Sequence, residues 1–301
     1  MTQPYVGRLA PSPTGPLHFG SLLAAVASYC DARAAGGRWL VRMEDIDPPR
    51  EMPGAAAGIL RTLERYGLQW DGEVRYQSLR SEAYLAAIEQ LRQQGEVFWC
   101  TCSRSQLARA GSGLYPGTCR AHREPRADAA IRLRVEPGLT RWQDRLFGSQ
   151  DEEVAATVGD FVIQRRDHLF AYQLAVVVDD ADQGITDIVR GADLLDNTAR
   201  QIYLQQRLGA PTPRYAHLPL AVNADGEKLS KQTFAAALRD ERPEPLLWLA
   251  LQTLGQQPPL ELQSAPVAEQ LAWAVSHWRL EAIPRQQKLP FDPRFQDFST
   301  L

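Results

Sequence analysis

The chain has 301 residues, 44% of them hydrophobic and 23% charged, with a formal net charge of −3. That composition suits a soluble globular protein of roughly two domains and excludes a disordered, collagen-like or fibrous chain. No apolar run approaches the ~18 residues of a membrane span, and the start Met-Thr-Gln-Pro-Tyr has no basic segment leading an apolar one, so neither a span nor a signal peptide is expected and the cytoplasm is the default.

Tyr5 to Ala10 reads as a short buried strand, and Pro11 to Pro16 as a turn punctuated by Pro and Gly. Residues 18–35 predict an Ala- and Leu-rich helix stopped by Gly36-Gly37, and Trp39 to Met43 a second strand. Helices follow over 53–66, closed by Gly67, and over 81–94, closed by Gly95. This alternation implies a parallel sheet with crossover helices, hence an α/β unit. A cysteine-bearing segment at about 100–128 interrupts it and reads as an inserted knuckle. Ile131 to Val135 and Phe161 to Arg165 read as strands, while the apolar stretch Leu169 to Val178 fits either strand or helix. Residues 197–208 predict a helix closed by Gly209, 215–222 a strand, and Asp225-Gly226 a turn. From about 240 the pattern turns helical: Pro243 and Pro245 open a helix through Leu254, Pro258-Pro259 break it, and another follows at 266–278. The expected organisation is an α/β catalytic unit over 1–235 and a short helical C-terminal domain over 236–301.

Charge is unevenly spread. Residues 100–134 hold seven Arg against Glu124 and Asp128, which permits a local basic surface for a polyanion, whereas residues 150–190 are strongly acidic. Of the 33 basic residues only Lys228, Lys231 and Lys288 are Lys. Two of these flank Ser230 on a predicted loop, where a compact, mobile point charge suits a phosphate that moves during reaction. Near the N-terminus, Arg8-Leu-Ala-Pro-Ser-Pro-Thr-Gly-Pro-Leu-His18-Phe-Gly-Ser21 runs strand, turn, helix start. Free N–H groups at a helix start suit a phosphate chain, Gly20 permits close approach, and His18 can donate to a phosphate oxygen. Cys100, Cys102 and Cys119 cluster in sequence as metal ligands do; structural zinc needs four, and spacing alone offers His122 as the fourth.

His18-Phe-Gly-Ser21 and Lys228-Leu-Ser-Lys-Gln232 resemble the HIGH and KMSKS signatures of class I aminoacyl-tRNA synthetases. Arg8 to Gly15, Arg42-Met-Glu-Asp-Ile-Asp47 and Val189-Arg-Gly-Ala-Asp-Leu-Leu195 look like the glutamyl/glutaminyl branch of that family. The resemblance covers about residues 4–235, with Ser21 standing where HIGH ends in His or Gly. It implies a Rossmann-like catalytic domain with an inserted zinc knuckle. About 70 residues follow the second signature, too few for the large anticodon-binding region of a full glutamyl-tRNA synthetase. The chain is therefore expected to lack that domain and is similar to a truncated group within the branch; the knuckle and Ser276-His-Trp-Arg-Leu-Glu-Ala-Ile-Pro284 fit that group too.

The resemblance implies an enzyme that activates L-glutamate with ATP and Mg²⁺ and esterifies it onto queuosine, the modified wobble base of tRNA(Asp). The alternative is a truncated synthetase that charges a tRNA 3′ end. Arg8, Ser12, Glu44, Tyr172 and Arg190 would line the glutamate pocket; His18, Gly20, Ser21, Lys228, Leu229, Ser230, Lys231 and Gln232 would bind ATP, with His18, Lys228 and Lys231 catalytic. Zinc would be held by Cys100, Cys102, Tyr115 and Cys119 on the family pattern, with His122 the alternative to Tyr115 as fourth ligand. A monomer is the default. Independently of the family, a substrate with two carboxylates and one ammonium needs two cationic groups and one carboxylate, and Arg8, Arg190 and Glu44 stand at strand ends, where α/β sheets bind ligands.

Overall fold

The computed structural model describes residues 4–109, 111, 113–222, 238 and 242–290. Lys228, Leu229, Ser230, Lys231 and Gln232 lie outside the described residues. In chain order the first elements are β1 (Val6–Leu9), α1 (Phe19–Ala34), β2 (Arg38–Met43), α2 (Ala55–Arg65), β3 (Arg75–Tyr76), α3 (Ser81–Gln93), β4 (Val97–Cys100) and α4 (Arg104–Arg109). There follow β5 (Ala130–Leu133), β6 (Thr140–Asp144), β7 (Gly148–Glu152), α5 (Val154–Thr157) and β8 (Phe161–Gln164). The last are α6 (Tyr172–Asp182), β9 (Asp187–Gly191), α7 (Leu195–Leu208), β10 (Arg214–Leu218), β11 (Leu220–Val222), α8 (Pro243–Thr253), α9 (Val267–His277) and β12 (Lys288–Pro290).

The parallel sheet expected from the alternation is present. β1 pairs with β2 from Val6↔Arg38 to Leu9↔Val41, and β2 pairs with β3. On the other side β9 pairs with β10, and β10 with β6. β1 and β9 run side by side: Thr186 N–H donates to the Val6 carbonyl at 2.9 Å, and Val6 N–H to Thr186 Oγ1 at 2.8 Å. Strand order therefore reverses between β1 and β9, and a crevice opens there outside the carboxyl ends of the strands. β7 adds an antiparallel edge to β6, and β4, β5 and β8 form a separate antiparallel sheet that carries the knuckle.

Small residues let α1 sit deep. Ala25, Val26, Ala27, Cys30 and Ala32 have no exposed surface, and α1 packs on β1, β9, α8 and α9. Close approach at its end depends on Gly37, where a Cβ would fall 2.5 Å from the Tyr5 carbonyl oxygen. Leu246, Leu247, Leu251, Leu271 and Ala274 of α8 and α9 join the same apolar core as α1, so the C-terminal helices bury their faces against the catalytic unit. Among the described residues no helix is long and apolar enough to cross a membrane.

Of the stretch Leu169 to Val178, which fitted either strand or helix, the part from Tyr172 onward is helix α6, which brings Asp179 and Asp180 into the interior toward its end. The single strand expected over 215–222 splits at Pro219, which has no N–H for a ladder; β10 stays in the main sheet while β11 pairs with β12.

Candidate active site and metal centre

A cavity of about 240 Å³ sits at the reversal of strand order. Arg8 from β1, Arg190 from β9, Glu44 just after β2 and Tyr172 at the start of α6 line it, together with His18, Gly20 and Ser21 at the start of α1. Residues from five separate segments of the chain are thus brought to one crevice. Ser12 is not among the lining residues; it is exposed on the loop beside Pro11 and accepts from Thr14 N–H through its carbonyl.

The two arginines differ in what they face. Arg8, 4% exposed, donates from Nε to Asp180 Oδ1 at 3.2 Å and from Nη2 to Oδ2 at 3.4 Å. Arg42, fully buried behind it, donates to the same Asp180 at 2.7 Å and to Gln183 at 2.8 Å. Burial would push the Asp180 carboxyl up, but Arg42 and Arg8 hold it below the usual carboxylate range. Arg190 is equally buried, yet among the described residues it forms no ion pair. Its donors go to neutral acceptors: Nε to His217 Nε2 at 3.0 Å, Nη1 to Gln201 Oε1 at 2.7 Å, and Nη2 to Thr198 Oγ1 at 2.9 Å and the Leu194 carbonyl at 3.2 Å. An unneutralised guanidinium at the wall of a cavity is a site for an anion, since a buried charge needs a partner.

Glu44 supplies the opposite sign. Its backbone N–H is fixed to the Pro11 carbonyl at 2.9 Å, and Oε1, 3.5 Å from Arg42 Nη2, has no hydrogen-bond partner. Burial raises its pKa despite Arg42 and Arg8, and an arriving ammonium would favour its ionised form. Burial also raises the Tyr172 phenol, which stays neutral. The cavity therefore offers one free positive group, one paired positive group and one acid.

His18 caps α1. Its Nδ1 accepts from Ser21 N–H at 3.3 Å, and its Nε2 lies 3.1 Å from Ser21 Oγ. The start of α1, the positive end of the helix dipole, borders the cavity that His18, Gly20 and Ser21 line.

In the knuckle, the Sγ atoms of Cys100, Cys102 and Cys119 lie within 4.8 Å of one another. The Tyr115 hydroxyl accepts from Cys119 N–H at 2.7 Å, and its ring lies between Phe98 and the Arg132 guanidinium. Burial alone would raise the Cys119 thiol, but hydrogen bonds from Tyr115, Thr101 and Cys102 lower it to about 6, favouring the thiolate that metals bind. His122 turns elsewhere, with Nδ1 3.3 Å from the Trp99 carbonyl oxygen. The three thiols could hold a metal ion, and the Tyr115 hydroxyl lies beside Cys119 where a fourth ligand is needed.

The profile of the tRNA synthetases class I (E and Q), catalytic domain, matches residues 5–242. Proteins named glutamyl-Q tRNA(Asp) synthetase are similar throughout: 59% identical over 96% of this chain and 99% of the Pseudomonas aeruginosa protein, and 57% over 96% and 98% for Ectopseudomonas mendocina. The chain belongs to the glutamyl-Q tRNA(Asp) synthetase family of class I synthetases. The glutamate-tRNA synthetase of Elizabethkingia anophelis shares the fold, with a TM-score of 0.82 at 23% identity over 98% of this chain and 70% of that one. The glutamate tRNA ligase of Elizabethkingia meningosepticum, solved in complex with its amino acid, gives 0.83 at 23% over 98% and 68%.

Sequence reasoning on this synthetase missed Asp180, His217, Asp144, Gln201 and Thr198. A signal for Asp180 existed: two acids directly after Val176-Val-Val178 in an apolar run are costly unless paired. His217 carried a weaker one, as a lone ring inside the apolar strand Tyr215 to Leu218.

Proposed function

We propose that this synthetase joins L-glutamate to AMP and then transfers the glutamate to the queuosine base of tRNA(Asp). The observation that carries the amino-acid part is the buried, unneutralised Arg190 opposite Glu44 in one cavity. A cation not yet neutralised for a carboxylate and an acid for an ammonium suit an acidic amino acid and disfavour an amide or an apolar one. The queuosine part rests on the names of the relatives that this chain matches from end to end.

In the first step the glutamate α-carboxylate oxygen attacks the α-phosphorus of ATP, and pyrophosphate leaves with the bond pair. Arg8 and Arg190 hold the two carboxylates and Glu44 the ammonium, which fixes the attacking oxygen. The α1 N-terminus and His18, with Mg²⁺ on the nucleotide, take charge that develops on the phosphates. Lys228 and Lys231 supply positive charge to the leaving pyrophosphate, and Leu229, Ser230 and Gln232 bind ATP with them. In the second step a hydroxyl of the queuosine cyclopentene ring attacks the activated carbonyl and AMP departs. Cys100, Cys102, Tyr115 and Cys119 would hold zinc, whose contribution there is structural: it ties the ends of a basic loop whose apolar content is too low to fold on its own. The working unit is a monomer.

The adenylate step is tested by ATP–pyrophosphate exchange across the twenty amino acids. Exchange driven by glutamate alone supports the reading. Exchange driven by glutamine, or by no amino acid, overturns it.

A further inference from the structure

His217 lies in the interior with no exposed surface, between Arg190 and Asp144. Its Nε2 is 3.0 Å from Arg190 Nε, and its Nδ1 is 2.6 Å from Asp144 Oδ2. An arginine Nε–H only donates, so Nε2 must be the acceptor and the imidazole proton sits on Nδ1, donated to Asp144. Asp144 is itself held by the backbone: Leu146 N–H and Phe147 N–H both donate to its Oδ1 at 3.0 Å. A chain of bonds thus runs from the turn after β6 through Asp144 and His217 to the guanidinium.

We infer that His217, backed by Asp144, is a positioning residue that aims the Arg190 fork at a substrate carboxylate while leaving its charge unspent. Arg8 marks the contrast, because its Nε is paired directly with Asp180, a carboxylate that it shares with Arg42. At Arg190 the carboxylate stands one ring further back. A neutral acceptor fixes the Nε edge, Gln201 and Thr198 fix the Nη groups, and among the described residues no carboxylate pairs with the guanidinium. Gln201 is locked in turn by donating to Gln173 Oε1 at 2.9 Å. Direct contact with Asp144 would neutralise the fork and weaken its hold on the ligand; loss of the imidazole would free it to rotate. The inference deepens the glutamate reading and rests on it, since it needs Arg190 to hold a substrate carboxylate.

The test is glutamate-dependent ATP–pyrophosphate exchange by the full chain and by H217N and H217Q. Asparagine can still donate to Asp144 but places nothing beside Arg190; glutamine places an oxygen where Nε2 stood. H217N should raise KM for glutamate about tenfold or more, with KM for ATP within about twofold, and H217Q should recover part of that loss. Equal rises in both KM values, or H217Q as impaired as H217N, would assign His217 a merely structural role and overturn the inference. Wild-type protein without glutamate-dependent exchange would instead overturn the substrate reading. A measurement on wild-type protein stands apart from the folding of any variant. Nitrogen-15 spectra of His217 should report a proton on Nδ1 and a bare Nε2, with and without glutamate; a protonated Nε2 would contradict the arrangement.

Discussion

Replacing Asp180 with Asn removes one charge and leaves shape almost unchanged, so its cost isolates the electrostatics beneath the cavity. Asp180 is 3% exposed and receives hydrogen bonds from both Arg8 and Arg42, neither of which has appreciable exposure. Removing one partner of a buried ion pair leaves an uncompensated charge and costs about 3–5 kcal/mol. For a chain of this size about 1 kcal/mol moves Tm by roughly 2 °C, so D180N should lower Tm by about 6–10 °C. Asp182, on the same helix but with its side chain half exposed, pairs with Arg75 at 3.1 Å and with Arg80. Water screens it, and D182N should cost under about 1 kcal/mol. Because Arg8 and Arg42 depress the Asp180 pKa, its contribution is present above the ordinary carboxylate range and is lost as pH falls through the depressed value; the gap between wild type and D180N should close in acid. Thermal unfolding of both variants at neutral and acid pH is the assay. Equal Tm losses for D180N and D182N, or a gap that widens in acid, would refute the reasoning.

Glu44 and the knuckle give two more expectations. The raised Glu44 pKa means that the acid form persists to higher pH, so kcat/KM for glutamate should fall as pH drops toward that value; E44Q should be about 100-fold weaker and lose this pH dependence. For the knuckle, mass spectrometry under native conditions should find one zinc per chain. C119S should abolish it, Y115F should weaken retention at least about tenfold, and H122A should leave it unchanged, as read by competition with a chelator. Retention by Y115F together with loss in H122A would reverse the ligand assignment.

Much of the fold was legible because punctuation and periodicity agree. The helices closed by Gly67, Gly95 and Gly209 end within a residue or two of expectation, since each glycine adopts a positive φ that stops the helix. The hairpin of β6 and β7 escaped, because Thr-Arg-Trp-Gln-Asp and Gly-Ser-Gln-Asp-Glu are too polar to read as strands and hold together by pairing with each other and β10. The stretch Leu169 to Val178 was ambiguous because its β-branched run suits a strand, and only burial against α3 and α7 decides for helix. In the site, Arg8, Glu44, Tyr172 and Arg190 each stand at an element end beside a recognisable pattern, and the structure gathers them. The Asp144–His217 contact joins residues 73 apart through neighbouring strands, and no local pattern announces it.

In the proposed reaction glutamate goes to a base rather than to the end of a tRNA. The most direct measurement supplies labelled glutamate and ATP to two bulk tRNA pools, one containing queuosine and one from cells unable to make it. Label on the queuosine pool alone, recovered on the queuosine nucleoside after digestion, is the predicted result. Equal labelling of the two pools, with the label on the 3′-terminal adenosine, would contradict it and make this chain a synthetase that charges tRNA ends.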